Sequence, residues 1–316
     1  VPVDVTPAPP PCVREAIFTD GAALLTGVPP PRPGFHPVRV AADALSPGGT
    51  SHAALYGDLF EVRSRPSAHN VAYTDLPLAP HQDLAYYASP PGLQLLHCVT
   101  FGDRVEGGES TLVDGMAAAA ALRTSDPDRF RTLSEARATF IKQREGASMT
   151  YLRPHIDVLS GPAGDGEREI VGVHWAPPFE GPLTLPRAEM DRYYDAYGAF
   201  EMMVDDSLPP DASSSAYSEE QIRRYREFAR RYTWEKRLEE GEMLVFNNQR
   251  MLHGRRGFRV RGGDGDGGGV ERLFEGCYTD ICDTLGRYRV LQRTELSERE
   301  AAGSMKNVGN GTTIFP

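Results

Sequence analysis

Three residues of the sequence have side chains that bind transition metals. His81 and Asp83 stand two residues apart in "LAPHQDLAYY", so on a strand both side chains would point to the same face. His253, in "FNNQRMLHGRRGF", follows a strand-like run and could supply a third ligand. Two histidines and one carboxylate on one side of Fe(II) leave three positions open. The set predicts a metal centre with room for a chelating co-substrate and O2.

The His-x-Asp spacing has little specificity by itself. The chain contains 8 histidines, so one of them will often lie two residues from an aspartate by chance. On the spacing alone, we would interpret His81 and Asp83 as ordinary core or surface residues. Only the residues around them favour a metal site.

Longer segments around these residues resemble gamma-butyrobetaine hydroxylase and its relatives, in the taurine-dioxygenase-like group of 2-oxoglutarate oxygenases. Three blocks carry the resemblance in the family's order: "HQDLAYYASPPGLQLLHCVTFGDRVEGGESTLVDG" (81–115), "LVFNNQRMLHGR" (244–255) and "RLFEGCYTDICDTLGRYRVL" (272–291). It extends upstream through "HNVAYTDLPLAPH" (69–81) and "ALYGDLFEV" (54–62). Most of the chain between residues 14 and 291 is therefore covered.

The resemblance implies a mostly β fold with helical decoration around a double-stranded β-helix, or jelly-roll, core. It implies that His81, Asp83 and His253 bind Fe(II), with 2-oxoglutarate and O2 as co-substrates. It assigns Arg272 to the distal carboxylate of 2-oxoglutarate, which suits a guanidinium fork. Ser110, in "GGES", would add a hydroxyl donor to the same carboxylate.

The spacing between His253 and Arg272 is longer than is usual in this family. The glycine-rich segment 262–269 (GGDGDGGG) accounts for the excess if it forms a loop insert. The alternative for Arg272 is a surface ion pair. Other arginines would then take the co-substrate: Arg255, Arg256 or Arg259.

Enzymes of the gamma-butyrobetaine hydroxylase type, which the chain resembles, hold a trimethylammonium group in an aromatic cage, where ring faces attract a cation. Four positions match that cage: Tyr56, Phe60, Tyr73 and Tyr278. Phe60 stands where the family usually has Trp, and Asn70 matches a residue that contacts the polar end of the substrate. Packing in the core is the alternative for each aromatic residue. The stretch 174–182 (HWAPPFEGP) departs from the family's Asn-rich segment, so we expect that end of the pocket to be rebuilt.

Short strands, long loops and a few helices are predicted to position these residues. Strand-like runs lie at 22–28, 93–100, 110–113, 169–175, 242–246 and 273–279. Helical runs lie in 14–28 ahead of its strand, in 116–136 with an interruption near Pro127, and at 187–201 and 218–232. We predict a flexible Pro-rich tail at 1–12 and a single oxygenase domain at 13–316.

Composition excludes several classes of protein. The chain has 316 residues and a net charge of −10, which argues against general affinity for nucleic acid or anionic membrane. No apolar run reaches the length of a membrane helix, and we see no secretory signal. The cysteines form no zinc-binding spacing, and Cys98 and Cys277 are predicted as buried free thiols. We expect a cytoplasmic protein, with a small-molecule substrate and compatible with a homodimer.

The resemblance favours a dioxygenase that hydroxylates an unactivated C–H bond of a small cationic, betaine- or amino-acid-like substrate, releasing succinate and CO2. One alternative keeps the same iron chemistry for desaturation, cyclisation or rearrangement in secondary metabolism, which the rebuilt 174–182 segment favours. Another alternative, of a different class, is a catalytically inactive small-molecule-binding relative. The intact set of His81, Asp83 and His253 argues against the last. No catalytic residue beyond the metal centre is required.

Overall fold

The computed structural model describes residues 11–63, 74–144, 146–159, 169–208, 217–261 and 272–297, and these are mostly β with helices around them. The strands are β1 (Ala22–Leu25), β2 (Phe60–Arg63), β3 (Leu78–His81), β4 (Leu93–Phe101), β5 (Val105–Gly107), β6 (Ser110–Asp114), β7 (Ala138–Arg144), β8 (Ala147–Arg153), β9 (Ile156–Val158), β10 (Ile170–Val173), β11 (Thr233–Lys236), β12 (Met243–Asn247), β13 (Met251–Arg255), β14 (Phe258–Val260) and β15 (Arg272–Thr279). The helices are α1 (Pro11–Thr19), α2 (Pro37–Leu45), α3 (Ala53–Tyr56), α4 (Gly115–Ser125), α5 (Pro127–Glu135), α6 (Arg187–Val204), α7 (Glu219–Tyr232) and α8 (Ile281–Ser297).

The larger sheet is antiparallel, with the strand order β1-β12-β4-β15-β2. Its central strand β4 is an apolar run whose side chains alternate between two faces. Leu93 and Leu95 pack with residues of α1 and α2, such as Ile17 and Leu45, on the outer face. The inner face carries Leu96, so one strand supports both the helical cover and the interior.

The smaller sheet has the order β11-β6-β13-β3 and is also antiparallel. Leu112 of β6 and Met251 of β13 belong to the same buried cluster as Phe246 and Phe274 of the larger sheet. The two sheets therefore pack face to face, and burial of their apolar faces stabilises the core.

Helices form a second core beside the smaller sheet. Trp175 and Phe200, both fully buried, pack there against alanines of α4. The predicted helical interruption is confirmed, since α4 ends before Pro127 and α5 begins at it, the position a proline tolerates in a helix. Ser218 and Gln221 form a capping box that fixes the start of α7.

Several elements differ from the sequence expectations. Helix α1 begins at Pro11, so the last two residues of the predicted tail at 1–12 are helical. Strands β13 and β14 lie between the two strands predicted to be the last, and the β7–β8 hairpin and helix α8 were not predicted. Residues 262–269, the predicted loop insert, lie outside the described residues. The cysteine prediction is confirmed, because Cys98 and Cys277 are buried free thiols.

Candidate functional site

The three predicted metal ligands converge at one edge of the smaller sheet. His81 ends β3 and faces His253 of β13 as its cross-strand partner, with ring centroids 4.2 Å apart. The Oδ1 atom of Asp83 lies 3.6 Å from Nε2 of His81, and its Oδ2 atom lies 3.6 Å from Nε2 of His253. One potential ligand atom from each residue lies within 4.8 Å of the other two. This geometry suits a single metal ion.

Asp83 reaches this position from a turn, so the expectation that it shares a strand with His81 is wrong. The backbone bends after His81, and Leu84 adopts a left-handed conformation with φ of 61°, which is costly for a branched side chain. Asn248 holds the turn. Its Oδ1 accepts a hydrogen bond from the Asp83 N–H, and its Nδ2 donates to the Asp83 carbonyl, both at 3.0 Å.

The charge states of Asp83 and His253 and the hydrogen bond of His81 favour cation binding. Burial would raise the pKa of the Asp83 carboxyl, but His81 and His253 outweigh it and hold the pKa below its usual value. Burial lowers the pKa of His253 to about 3, and the neighbouring His81 ring adds to this. The His81 Nδ1 atom lies 2.9 Å from the carbonyl oxygen of Ala79. When Nδ1 carries the proton and donates this hydrogen bond, the Nε2 atom is free to bind a metal.

A cavity of about 900 Å³, its open mouth included, contains the three residues. Arg272 and Ser110 line the same cavity. The guanidinium of Arg272 is stacked on Phe274, with 4.2 Å to the ring centroid. Burial and the charge of Arg255 lower the pKa of Arg272 to about 9, so the group is still cationic at neutral pH. No carboxylate among the described residues pairs with Arg272, and the site is therefore suited to an anionic ligand.

The other three arginines considered for this role are engaged elsewhere. Arg255 lines the cavity but donates hydrogen bonds to the carbonyls of Thr74 and Leu76. Arg256 pairs with Asp206 and Glu235. Arg259 pairs with Glu106 on the surface. Arg272 is the arginine whose stacking and position direct it into the cavity.

Three of the predicted cage residues lie side by side along one wall. The Phe60 ring is 5.0 Å from that of Tyr278 and 6.4 Å from that of Tyr56. Gly276 makes this possible, because a Cβ there would lie 2.6 Å from the Phe60 ring. The Tyr278 hydroxyl also donates to Asp83 Oδ2 at 2.8 Å, which ties the wall to the metal site. The predicted Asn70 and Tyr73 lie outside the described residues.

The sequence reasoning missed several residues of this cavity. Phe179 and Pro178, from the divergent 174–182 stretch, line it, and so does Gln94 of β4. The Gln94 side chain is buried and its Oε1 has no hydrogen-bond partner among the described residues. The alternation of β4 could have indicated Gln94, since it shares a face with Leu96. His174 is buried, and its Nδ1 atom lies 3.0 Å from Oε1 of Gln82, the residue between His81 and Asp83 in the sequence.

Solved structures share this arrangement of strands and helices. An asparagine oxygenase in complex with Fe(II), a hydroxyasparagine and succinate superposes with a TM-score of 0.55 at 15% identity, covering 89% of this chain and 81% of that chain. A non-heme iron oxygenase, OrfP, in complex with Fe and alpha-ketoglutaric acid gives 0.54 at 14% identity, covering 86% and 80%. The fold is thus that of non-haem iron oxygenases.

The pattern that defines the taurine catabolism dioxygenase TauD, TfdA family matches residues 10–278. The chain belongs to this family, as the resemblance predicted. Relatives include gamma-butyrobetaine dioxygenase of Pseudomonas sp. (strain AK-1), 33% identical over 75% of this chain and 52% of its own length. The dioxygenase str8 of Strobilurus tenacellus is 31% identical over 77% and 50%. Human gamma-butyrobetaine dioxygenase is 27% identical over 78% and 56%.

The chain spans about half the length of the curated relatives it matches. Among the helices in the described part of the chain, none is both long and apolar enough to cross a membrane.

Proposed function

We propose that the protein is an Fe(II)- and 2-oxoglutarate-dependent dioxygenase that hydroxylates an unactivated C–H bond of a small betaine- or amino-acid-like substrate, with release of succinate and CO2. One observation carries the proposal. Two histidines and an ionised aspartate share a cavity with a buried arginine that has no carboxylate partner among the described residues. A divalent metal would bind the two histidines and the aspartate, and a dianionic chelator of that metal would also pair with the arginine.

The residues then take separate roles on a jelly-roll core within a single domain. His81, Asp83 and His253 would hold the iron through two nitrogens and one oxygen. Arg272 would bind the distal carboxylate of 2-oxoglutarate, with Ser110 donating a hydroxyl. Iron, when bound, supplies activation of O2 at the expense of 2-oxoglutarate. The chain itself orients the ligands and keeps water away with an apolar wall.

Aromatic residues would bind the substrate beside the metal. Tyr56, Phe60 and Tyr278 present ring faces that attract an ammonium group. This agrees with the names of relatives, which are gamma-butyrobetaine and trimethyllysine dioxygenases. Asn70 and Tyr73 are proposed for the same site from the sequence alone.

A second candidate keeps the iron chemistry and changes its outcome to desaturation, cyclisation or rearrangement. It is favoured by Phe179 and Pro178, because the stretch that departs from the family's pattern supplies part of the cavity wall. Analysis of the organic product by mass spectrometry separates the two candidates, since hydroxylation adds one oxygen atom and desaturation removes two hydrogens.

The decisive experiment is succinate formation by anaerobically purified protein, given Fe(II), 2-oxoglutarate and O2, across a panel of betaines and amino acids. We expect Fe(II)-dependent succinate, stimulated by one or more compounds. Asp83→Ala should abolish it, because the anionic ligand is lost. Absence of succinate from the wild-type protein, or full activity in Asp83→Ala, would exclude the proposed function.

A further inference from the structure

Two cations of strand β7 lie against the aromatic wall of the cavity. The Lys142 Nζ atom is 4.8 Å from the centroid of the Phe179 ring. The Arg144 guanidinium is 5.6 Å from the centroid of the Tyr56 ring and also donates to the carbonyl of Leu55. Both rings line the cavity that contains the candidate metal ligands. Because Lys142 and Arg144 are two residues apart on a strand, they share one face.

Lys142 is partly buried and Arg144 is exposed, and neither has an ion-pair partner within the described residues. No carboxylate there pairs with either side chain, although the chain has 44 acidic and 34 basic residues. Asp83 is the one carboxylate among the residues lining the cavity, and it belongs to the metal site. Burial and the Arg144 charge lower the pKa of Lys142, while the charge of Asp83 opposes them. Two neighbouring cations on one face repel each other, and an anion between them would relieve that repulsion.

The strand that carries these cations, β7, is hydrogen-bonded to the divergent stretch. Phe140 of β7 bridges to Glu180, and the Gly181 N–H donates to the carbonyl of Thr139 at 2.8 Å. The stretch that supplies Phe179 is thereby hydrogen-bonded to the strand that supplies Lys142 and Arg144. The cations and the ring are consequently positioned as one unit at the cavity.

We propose that Lys142 and Arg144 bind a carboxylate of the substrate. The inference rests on the proposed function and names the two side chains that would recognise the carboxylate of its betaine- or amino-acid-like substrate. The aromatic row runs from Tyr278, which contacts Asp83, through Phe60 to Tyr56, where Arg144 lies. A zwitterion would place its ammonium against Phe60 and Tyr278 and its carboxylate at the β7 cations, with opposite charges at the two ends of the row.

The test compares matched acids and amides by direct binding, without turnover. The protein is loaded with Mn(II), saturated with 2-oxoglutarate and kept free of O2, so that the Arg272 site is already filled. The probes are γ-butyrobetaine, γ-aminobutyrate and butyrate, each against its primary amide. Binding is read from the broadening of probe proton signals by the paramagnetic ion. We expect at least one acid to bind about tenfold tighter than its amide, as for a charge-assisted hydrogen bond.

Variants assign that preference to the two side chains. Lys142→Gln and Arg144→Gln should each remove most of the acid-over-amide ratio, and Lys142→Arg should retain it because the charge remains. Arg131→Gln is the matched control, since it removes an exposed arginine paired with Asp128 on α5. A wild-type protein that binds no acid, binds acids and amides equally, or keeps its preference in both glutamine variants would overturn the inference.

The two proposals fail separately. Acid-selective binding without Fe(II)-dependent succinate formation would refute the proposed function and leave the carboxylate site intact. Succinate formation stimulated equally by an acid and its amide would refute the carboxylate site and leave the oxygenase assignment intact.

Discussion

At the scale of single residues, Arg272 carries a positive charge among aromatic rings that cannot solvate it. Phe101, Phe258 and Phe274 surround its guanidinium at 5.3, 5.4 and 4.2 Å from the ring centroids. Cation–π contacts offset only part of the cost of burial. An anion that fills the cavity would recover more of that cost.

Arg272→Gln should therefore weaken 2-oxoglutarate binding at least about tenfold, because a charge-assisted pair is worth ~1.5–3 kcal/mol. The affinity of Arg272→Lys for 2-oxoglutarate should lie between those of Arg272→Gln and the wild type, since lysine keeps the charge without the guanidinium fork. Calorimetric titration of the Mn(II)-loaded protein with 2-oxoglutarate measures this. Arg259→Gln, which breaks an exposed pair with Glu106, should bind like the wild type. Equal affinities of Arg272→Gln and Arg259→Gln would contradict the assignment.

Asn248 is a second residue on which the site depends, because its side chain holds the turn that carries Asp83. It is fully buried and its amide bonds the Asp83 backbone twice and the Pro91 carbonyl once. It thereby compensates the unfavourable backbone of Leu84 in the same turn. The residue determines where the Asp83 carboxylate stands, although it is not itself one of the candidate metal ligands.

Asn248→Leu should lower the free energy of unfolding by about 3 kcal/mol, since it leaves buried backbone groups unpaired. The turn would also lose its shape, so added Mn(II) should stabilise the variant less than it stabilises the wild type. Urea unfolding with and without Mn(II) measures both effects. Asn247→Ser alters the neighbouring side chain and should keep the full stabilisation by the metal. A normal Mn(II) effect in Asn248→Leu would limit Asn248 to a structural role.

At the scale of elements, β13 must lie unusually close to β3 to bring His253 opposite His81. Gly254 allows this, because a Cβ there would lie 2.6 Å from the carbonyl oxygen of Leu78 and 2.8 Å from Thr111 Oγ1. The ladder between β13 and β3 also shifts register immediately after His253. The glycine beside His253, a candidate metal ligand, is thus a packing requirement of the sheet.

Gly254→Ala should force β13 away from β3 and destabilise the protein by ~1–3 kcal/mol, with weaker metal binding because His253 moves. Gly286→Ala is the contrasting control. Nothing lies within 4 Å of its added Cβ on helix α8, so it should stabilise by ~0.5–1 kcal/mol. Thermal unfolding and metal titration of both variants check this, and two variants with the same sign of effect would refute it.

Elements with a strong hydrophobic pattern could be predicted from the sequence, as β4 and the break between α4 and α5 illustrate. The β7–β8 hairpin could not be predicted, since the side chains of β8 are largely exposed and its sequence shows no apolar alternation. His81, Asp83 and His253 were predicted as ligands from the residues around them, whereas the place of Phe179 in the cavity becomes visible only when distant elements meet. Nothing local in "HWAPPFEGP" indicates which ring faces the cavity.

At the scale of the whole molecule, the same packing that builds the site also buries titratable groups that the proposed chemistry does not use. His97 lies on β4 between the sheet and its cover, and His155 lies against Trp175 and Tyr193; both are fully buried. Burial lowers the pKa of each to about 4, from 6.5. Both are therefore neutral in the folded protein over most of the mildly acidic range.

Acidification below about pH 6.5 should consequently destabilise the metal-free protein through these two histidines. The unfolded chain binds protons at these histidines below about pH 6.5, whereas the folded chain resists until about pH 4, so unfolding takes up protons in between. Stability contributed in this way is complete above pH 6.5 and is lost as the pH falls. Each histidine adds a slope of up to ~1.4 kcal/mol per pH unit.

His97→Leu should flatten that slope by about 1 kcal/mol per pH unit between pH 6 and 4.5, because leucine binds no proton in either state. Urea unfolding at several pH values measures the free energy of unfolding of both proteins. Cys98→Ala removes a neighbouring buried side chain that does not titrate in this range, so it should lower stability by a similar amount at every pH. An unchanged slope in His97→Leu would mean that the folded protein accommodates a charged His97, and that the layer between the larger sheet and its helices admits water.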